Sequence, residues 1–479
     1  MSADASVSGC SSCGADEASY RCSRCLVALF CGPDCQKAGW KQHRRACLVA
    51  FAARIRGMSV PELITLFSSG PIPPREAAAA ACSTILTLLN GGTYTPARPS
   101  ALLDIAINSL EGYSSSGDVA EPALALASVL LQPGARSSAA VTGFPGSGLR
   151  VVTKTLQAHA SSAIVLRHAS DIITCTIRSD TRNPNDWLEI GALDALAEAV
   201  AGLGAGSEAA MGAAAMALLN LVSGAGARHG LGVVAKGVIP ALVREVSRGA
   251  DGERVDGSSM NVCLLLFELI SSDSVASATV DTGAVPALVK LLRAALPLAR
   301  TSIGSNAIGS DALCPAYEIC AAIGGALANL AMISKGITAI TREADGVAML
   351  VALATTMQEM RLSTAVRGLA ALRRVCMSDE GRVAAIGAGC VRKLLAAMRD
   401  NRRAFGGSPL WLQVVNTTLN VLLVVSTPWT KPAWLYDLRD RGATSRLMED
   451  IVGQFSRLAG NAAAAETVEM ARAVRDLVA

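Results

Sequence analysis

The chain contains few aromatic residues and few charges for its length. Of its 479 residues, 4% are aromatic, 17% are charged and 51% are hydrophobic, and the formal net charge is only +4. A core with so few large rings must be filled mainly by alanine, leucine and valine, which favours closely packed helices.

Long hydrophobic runs are also missing. The longest ones, such as Val421–Val425, fall far short of the roughly 20 apolar residues that a membrane-spanning helix needs, so we expect no membrane span. Residues 1–9 are small and polar and lack the apolar segment of a secretory signal, so we expect a cytoplasmic and/or nuclear protein. The later cysteines are scattered in apolar segments, as is typical of buried thiols in a reducing compartment: Cys82, Cys175, Cys263, Cys314, Cys320, Cys376 and Cys390.

One dense array of metal-binding residue types stands apart from this pattern. It consists of Cys10, Cys13, Cys22, Cys25, Cys31, Cys35, His43 and Cys47. Eight such ligands form two tetrahedral sets of four, which is what two zinc ions require. The last two pairs are separated by four residues, so each pair can reach one ion from one face of a helix. Because full sets leave no open coordination position, we predict structural zinc rather than catalytic zinc.

The spacing alone permits two arrangements of the ligands, interleaved or sequential. A disulfide framework is the alternative to metal, but an intracellular compartment disfavours it. The same segment carries six basic residues that could form a nucleic-acid patch: Arg21, Arg24, Lys37, Lys41, Arg44 and Arg45. The negative charge of seven thiolates exceeds the positive charge of two zinc ions, and these cations offset the difference. We therefore do not expect nucleic-acid binding.

The segment Phe30–Gln36, followed by Trp40, His43 and Cys47, closely resembles the C-terminal half of the MYND zinc finger. It departs at Phe30, where the family usually has tyrosine. The resemblance implies interleaved sites, with one zinc on Cys10, Cys13, Cys31 and Cys35 and the other on Cys22, Cys25, His43 and Cys47. It also implies a shallow apolar groove for short proline-rich peptides, lined by Gln36 and Trp40. Packing of Trp40 over the zinc-binding turns is a compatible alternative role.

Most of the remaining sequence is repetitive. Gly283–Leu292 has a small residue, an apolar residue and a proline, then a leucine-rich stretch, and Gly237–Val243 repeats this pattern. An apolar motif follows each copy: Ala326–Leu330 comes after the first, and Leu265–Leu269 comes after the second. A period of about 42–47 residues predicts a HEAT or armadillo solenoid. Each repeat is then a helix opened by glycine and often proline, a turn, and a second apolar helix.

These patterns predict an all-α protein with two modules. Residues 1–50 would form the finger, with its core at 10–47, and residues 51–479 would form up to nine armadillo-like repeats. The interval from Gly283 to Asp345 is longer than the others, by about 16–18 residues of a regular period. We expect an exposed loop insertion near residues 297–313 to account for this difference.

The motif of Gly283–Leu292 followed by Ala326–Ala331 resembles the armadillo consensus. The resemblance implies a concave face on which asparagines of each last helix hold an extended peptide, and Asn220 and Asn329 match that position. Other repeats have different residues there: Glu268, Arg374, Thr176 and Ser128. Met216 and Gly325 replace the tryptophan that usually stands four residues earlier. We therefore expect a general partner groove, and not a nuclear-import groove for basic signals.

The favoured function is a non-enzymatic scaffold or adaptor that docks proline-rich or extended peptide segments of partner proteins. The alternative is an adaptor subunit of a ubiquitin-ligase or transcription-regulatory assembly. A MYND-associated methyltransferase is disfavoured because its Asn-His-Ser-Cys motif is missing, and a RING finger because His43 is the seventh ligand of eight. No catalytic residue is predicted, since His159, His168 and His229 lie outside any catalytic constellation in the sequence. The partners and the oligomeric state stay open.

Overall fold

The computed structural model of the chain describes residues 10–15, 18, 20–22, 26, 28–68, 73–92, 96, 98–132, 144–179, 182–204, 207–225, 231–252, 254–301, 314–356, 362–405, 409–426, 441–456 and 462–478. These residues form one two-stranded sheet and 23 helices. They fall into two compact units, Met1–Ala225 and Gly226–Ala479. The nearly all-helical architecture confirms the predicted fold class.

The first unit contains the sheet and ten helices among its described residues. In the sheet, Tyr20 pairs with Phe30 and Arg21 with Leu29, in antiparallel register. The elements are β1 Tyr20–Arg21, β2 Leu29–Phe30, α1 Pro33–Arg56, α2 Val60–Ser68, α3 Arg75–Asn90, α4 Pro99–Tyr113, α5 Gly117–Leu131, α6 Gly146–Ala158, α7 Ala163–Arg178, α8 Pro184–Glu189, α9 Ala192–Gly202 and α10 Glu208–Ala225. Helices α3, α5, α7 and α10 pack side by side in chain order.

The second unit is entirely helical over its described residues. Its helices are α11 Leu231–Asp251, α12 Gly257–Leu269, α13 Asp273–Asp281, α14 Ala284–Thr301, α15 Pro315–Leu330, α16 Ser334–Arg342, α17 Gly346–Ala354, α18 Leu362–Val375, α19 Asp379–Gly387, α20 Cys390–Phe405, α21 Pro409–Ser426, α22 Arg441–Phe455 and α23 Ala462–Val478. Helices α12, α15, α18, α21 and α23 pack side by side in chain order. This regular packing of successive last helices is what a solenoid core requires.

Three successive repeats of the second unit contain three helices rather than the predicted two. They are α13–α15, α16–α18 and α19–α21, and each opens with a helix of nine residues. Such a helix is too short to be stable alone, so it depends on packing against its neighbours. Because such a helix has no long apolar stretch of its own, the two apolar motifs of each repeat do not reveal it, and its residues resemble part of a turn.

Left-handed residues make the turn into the second helix of several repeats. Gly191, Gly283 and Gly389 have φ between 70° and 78°, and Asp345 takes the same place with φ 63°. Glycine adopts this conformation without the steric cost that a Cβ atom brings. The prediction of a helix start at Gly237–Pro240 is wrong, because α11 continues through both residues. Its buried side chains follow one face through Leu242 and Val246, and this packing offsets the hydrogen bond that Pro240 cannot donate.

Part of the predicted loop insertion is helical. Helix α14 continues past Pro297 to Thr301, because Leu296 and Ala299 extend the buried face of the helix by another turn. The expectation of a loop is therefore wrong for residues 297–301. Residues 302–313 lie outside the described residues.

Membrane-spanning potential is limited to one bent pair among the described residues. No single helix there is long and apolar enough to cross a bilayer. Helices α13 and α14 satisfy the length and composition criteria only together, and they meet at 78°.

Helix α1 connects the N-terminal sheet to the first helical layer without interruption. It crosses residue 50, the predicted limit of the finger, and ends at Arg56. Its last turns bury Phe51, Ala52 and Ile55, and it packs on α3. Full burial of one large aliphatic side chain such as Ile55 contributes about 1.5–3 kcal/mol. The finger is therefore attached through a packed helix.

Candidate metal centre and helical groove

Two similar turns hold the first ligands of the array. The backbone N–H of Gly14 donates to the carbonyl oxygen of Cys10 at 2.8 Å, and that of Leu26 donates to Cys22 at 2.9 Å. Gly14 and Leu26 both have positive φ, at 77° and 58°. Each turn thus bends the chain directly after a C-x2-C pair. The N–H of Cys22 also donates to Ala28 at 2.9 Å, which ties the second turn to the sheet.

Four cysteines form the first cluster. The Sγ atoms of Cys10, Cys13, Cys31 and Cys35 all lie within 4.8 Å of one another. The Sγ atoms of Cys13 and Cys31 are 3.7 Å apart, and those of Cys31 and Cys35 are 3.1 Å apart. Zinc–sulfur bonds of about 2.3 Å in a tetrahedron place sulfur atoms about 3.8 Å apart. The longer distance agrees with that value, so the four thiols suit one zinc ion.

The second cluster brings together Cys22, His43 and Cys47, also within 4.8 Å. The Sγ atoms of Cys22 and Cys47 are 3.7 Å apart, again close to the zinc–thiolate geometry. The ring of His43 has edge contacts with Phe30 and with Trp40, at centroid distances of 5.5 and 6.0 Å. Cys25, which the resemblance to the MYND finger assigns to this set, lies outside the described residues. The grouping of the other seven ligands is interleaved.

The electrostatics of the first cluster favour a bound cation. The backbone N–H of Cys13 lowers the pKa of the Cys10 thiol to about 6. The neighbouring Cys31 sulfur raises the pKa of Cys35 to about 12. The Cys10 thiol therefore ionises readily, while the Cys35 thiol resists ionisation because its proton is held in a hydrogen bond with the Cys31 sulfur. A dication at the centre removes this conflict by stabilising all four thiolates, so the donor set fits zinc.

The two residues predicted to line a peptide groove lie on the N-terminal half of α1. Gln36 and Trp40 are both partly exposed. Trp40 packs against the core of the finger, which is formed by Cys10, Cys22, Ala28, Phe30 and Cys47. The Trp40 side chain therefore supports the finger while part of it stays exposed.

Gly39 is a residue of the finger that the sequence reasoning missed. It is buried on α1, and a Cβ atom there would lie 2.8 Å from the Cβ of Ser12. Ser12 belongs to the first cysteine turn, between Cys10 and Cys13. Only glycine allows this turn to approach the helix that carries Cys35. A glycine in the middle of an otherwise helical ligand segment was the available signal.

On the face of the last helices, Asn329 makes a bond within the protein. Its side-chain amide donates to the carbonyl oxygen of Phe267 on the preceding last helix, at 3.4 Å. Arg374, at the matching position of the next repeat, donates to Ala328. Both acceptors lie in the last turn of a helix, where carbonyl groups have no partner within that helix. Each side chain therefore caps the helix of the preceding repeat.

Asn220 differs from Asn329 in this respect. Its Nδ2 atom is buried and has no hydrogen-bond partner among the residues that the structure describes. The matching carbonyl on α7 belongs to Cys175, and it already accepts from the Ser179 N–H at 3.1 Å and the Ser179 Oγ at 2.7 Å. Ser179 thus caps α7 locally and leaves the Asn220 amide without an acceptor. The sequence reasoning treated the two asparagines as equivalent, and it missed Ser179.

An aromatic side chain covers the position that tryptophan occupies in the armadillo pattern. A Cβ atom on Gly325 would lie 2.6 Å from Cε2 of Phe267, so the Phe267 ring occupies that space. The guanidinium of Arg367 lies over the same ring, 4.8 Å from its centroid. Three successive last helices, α12, α15 and α18, therefore meet at one stacked contact, which a side chain at residue 325 would exclude.

The two described histidines outside the finger have structural contacts. His168 Nδ1 lies 2.9 Å from Ser128 Oγ, and His159 Nε2 lies 3.0 Å from the carbonyl oxygen of Ser114. Burial lowers the pKa of His168. Both rings link neighbouring helices, and His229 lies outside the described residues.

Comparisons with known proteins show similarities to the finger and to the helical fold. Residues 10–47 match the family model of the MYND finger. No curated protein sequence matches the chain. An engineered protein has 17% identity and a TM-score of 0.46, covering 90% of this chain and 95% of its own. A chain from a structure on a phosphorylation switch controlling the interaction of cadherin with β-catenin has 15% identity and a TM-score of 0.50, covering 88% of this chain and 81% of its own. The finger match indicates a protein-interaction module, and this last likeness supports the repeat fold alone.

Proposed function

We propose that the chain is a non-enzymatic adaptor, cytoplasmic and/or nuclear, whose finger and helical repeats each dock a partner protein. The observation that carries the proposal is the pair of Cys/His clusters at residues 10–47. With Cys25 as the fourth ligand of the second cluster, both ligand sets would be full and would leave no coordination position for a substrate, so the ions serve the fold of a small surface. The first 50 residues are too few to bury a stable core without such support.

The metal in this proposal is zinc, with two structural ions per chain. One ion is held by Cys10, Cys13, Cys31 and Cys35, and the other by Cys22, His43 and Cys47. The position of Cys25 three residues after Cys22 supports it as the fourth ligand of the second ion. Sulfur-rich tetrahedral sets select zinc over magnesium or calcium, which prefer oxygen. Bound zinc supplies cross-links, and the side chains of α1 supply the recognition surface.

Peptide docking at the finger is proposed for Gln36 and Trp40. They are separated by four residues on α1, so they present one surface. The indole offers a flat apolar face for a proline ring, and the Gln36 amide can bond to an extended backbone. The test is a fluorescence titration of a labelled Pro-Leu-containing peptide into the full chain and into Trp40→Ala. We expect the variant to bind at least about tenfold more weakly with unchanged zinc content. Equal affinity would assign Trp40 to structural support alone.

The helical groove is proposed to use Asn220 rather than Asn329. The Asn220 amide lacks an acceptor, whereas the Asn329 amide is bonded to Phe267. A buried donor without a partner carries a cost that a ligand carbonyl would remove. Extended peptide segments present such carbonyls, and armadillo-type grooves are built for them. Once a partner segment is identified, Asn220→Ala should weaken its binding, and Asn329→Ala should change stability instead.

A further inference from the structure

One helix belongs both to the candidate metal centre and to the first helical layer. Its N-terminal part carries three of the cluster ligands, Cys35, His43 and Cys47. Its C-terminal part buries Phe51 and Ile55. The helix continues without a break from Pro33 to Arg56, so the metal ligands and the packed residues share one rigid element.

The buried face of α1 is continuous between these two parts. Cys47, Phe51 and Ile55 recur at intervals of four residues, and their exposed fractions are 0%, 7% and 0%. Such residues lie on one side of a helix, and the distance from Cys47 to Ile55 is about 12 Å along the axis. In contrast, Val49 on the same helix is 63% exposed. One buried stripe thus leads from a zinc ligand along α1, the helix that packs on α3.

The C-terminal part of α1 cannot be stable on its own. Only nine residues, 48–56, follow the last ligand in α1, and helices shorter than about 12–15 residues are marginal in water. They depend on the helix that precedes them and on packing against α3. Helix α3 packs on α1, and its fully buried side chains include Ala78, Ala81 and Ile85. Loss of α1 would expose part of this alanine-rich layer to water.

We infer that α1 couples zinc binding to the stability of the solenoid's first layer, so that the metal-loaded finger acts as its N-terminal cap. The inference rests on the proposed zinc binding. Removal of zinc frees the N-terminal half of α1, the short remainder loses its support, and α3 loses a covering helix. The end of a solenoid needs such a cap, because its terminal repeat has a neighbour on one side only.

Coupling of this kind acts in both directions. If zinc stabilises the packing of α1 on α3, then better packing must strengthen zinc binding by the same factor. A substitution at Ile55, about 12 Å along the axis from the nearest ligand on α1, should therefore weaken zinc binding. If the finger folded independently of the helical repeats, substitution of Ile55 would not change its zinc affinity.

The first test is hydrogen exchange of the full chain, loaded with zinc or treated with a chelator, followed by mass spectrometry. We expect peptides of α3, residues 75–90, to exchange at least about tenfold faster without zinc. Peptides of α15, residues 315–330 in the other compact unit, should not change and serve as the internal reference. Unchanged protection of α3 after verified zinc removal would overturn the inference.

The second test compares Ile55→Ala with Val49→Ala. Both substitutions replace a β-branched residue on α1 with alanine, so intrinsic helix propensity rises in each. Competition with a chromophoric chelator should show at least about fivefold weaker zinc binding for Ile55→Ala and no loss for Val49→Ala. Equal affinities would overturn the inference, and Ile55→Val serves as a milder variant should Ile55→Ala not fold. A wild-type chain that holds no zinc would overturn the proposed metal sites as well.

Discussion

The side-chain amide of Asn329 donates to the backbone carbonyl oxygen of Phe267, 62 residues earlier in the chain. This bond joins two successive repeats at the end of α12. The carbonyl groups in the last turn of a helix receive no hydrogen bond from that helix. Asn329→Ala should therefore lower the free energy of unfolding of the second unit by about 1 kcal/mol. Urea unfolding followed by circular dichroism measures this change.

Asn220→Ala is the matched control for that substitution. Because the Asn220 Nδ2 atom has no hydrogen-bond partner in the described part of the chain, removal of the side-chain amide should leave stability within about 0.5 kcal/mol or raise it slightly. Equal losses for the two variants would contradict the distinction between a structural asparagine and one available to a ligand.

Gly325→Ala should destabilise the second unit although alanine is the better helix former. The added Cβ would lie 2.6 Å from the Phe267 ring, and overpacking of this kind typically costs about 1–3 kcal/mol. Gly453→Ala in α22 is the control, because nothing lies within 4 Å of its added Cβ. That variant should gain up to about 1 kcal/mol from helix propensity. Thermal unfolding of the two variants should thus shift in opposite directions.

Gly39→Ala should weaken the finger by pushing the first cysteine turn away from α1. The contact is with Ser12 Cβ at 2.8 Å, and the turn carries Cys10 and Cys13. Gly32→Ala, with open space around its added Cβ, is the control. We expect weaker zinc binding for Gly39→Ala only, measured by chelator competition. Identical binding by both variants would show that the turn can move without disturbing the ligands.

The N-terminus of α2 should respond to acid. The Ser59 Oγ and backbone N–H donate to Glu62 Oε2 at 2.6 and 2.7 Å, and the hydroxyl bond is the main cause of the lowered pKa of Glu62. A carboxyl group with a lowered pKa stabilises the fold above its ordinary pKa, and this contribution is lost as pH falls through the folded value. The protection factors of the α2 amides, which compare their exchange with the intrinsic rate at the same pH, should therefore fall below about pH 4. Ser59→Ala should raise the pKa of Glu62 in an NMR titration, and an unchanged pKa would contradict the assignment.

Much of the fold and the candidate site followed from local sequence patterns. The spacing of Cys31 and Cys35, and of His43 and Cys47, limits where a helix can place them, and the left-handed turns at Gly283 and Gly389 follow from glycine itself. Inter-repeat bonds could not be predicted in this way. The partner of Asn329 depends on which carbonyl of the preceding helix has no other donor. For Asn220, the matching carbonyl of Cys175 already accepts hydrogen bonds from Ser179. Helix α11 likewise continues through Gly237, because the packing of its buried side chains outweighs the low helix propensity of glycine.

The central claim is that residues 10–47 hold two structural zinc ions. Native mass spectrometry of the full chain measures this directly, since each bound ion adds a defined mass. We predict two zinc ions per wild-type chain and one for Cys35→Ala, which removes a ligand of the first cluster only. A wild-type chain with one ion or none would contradict the account.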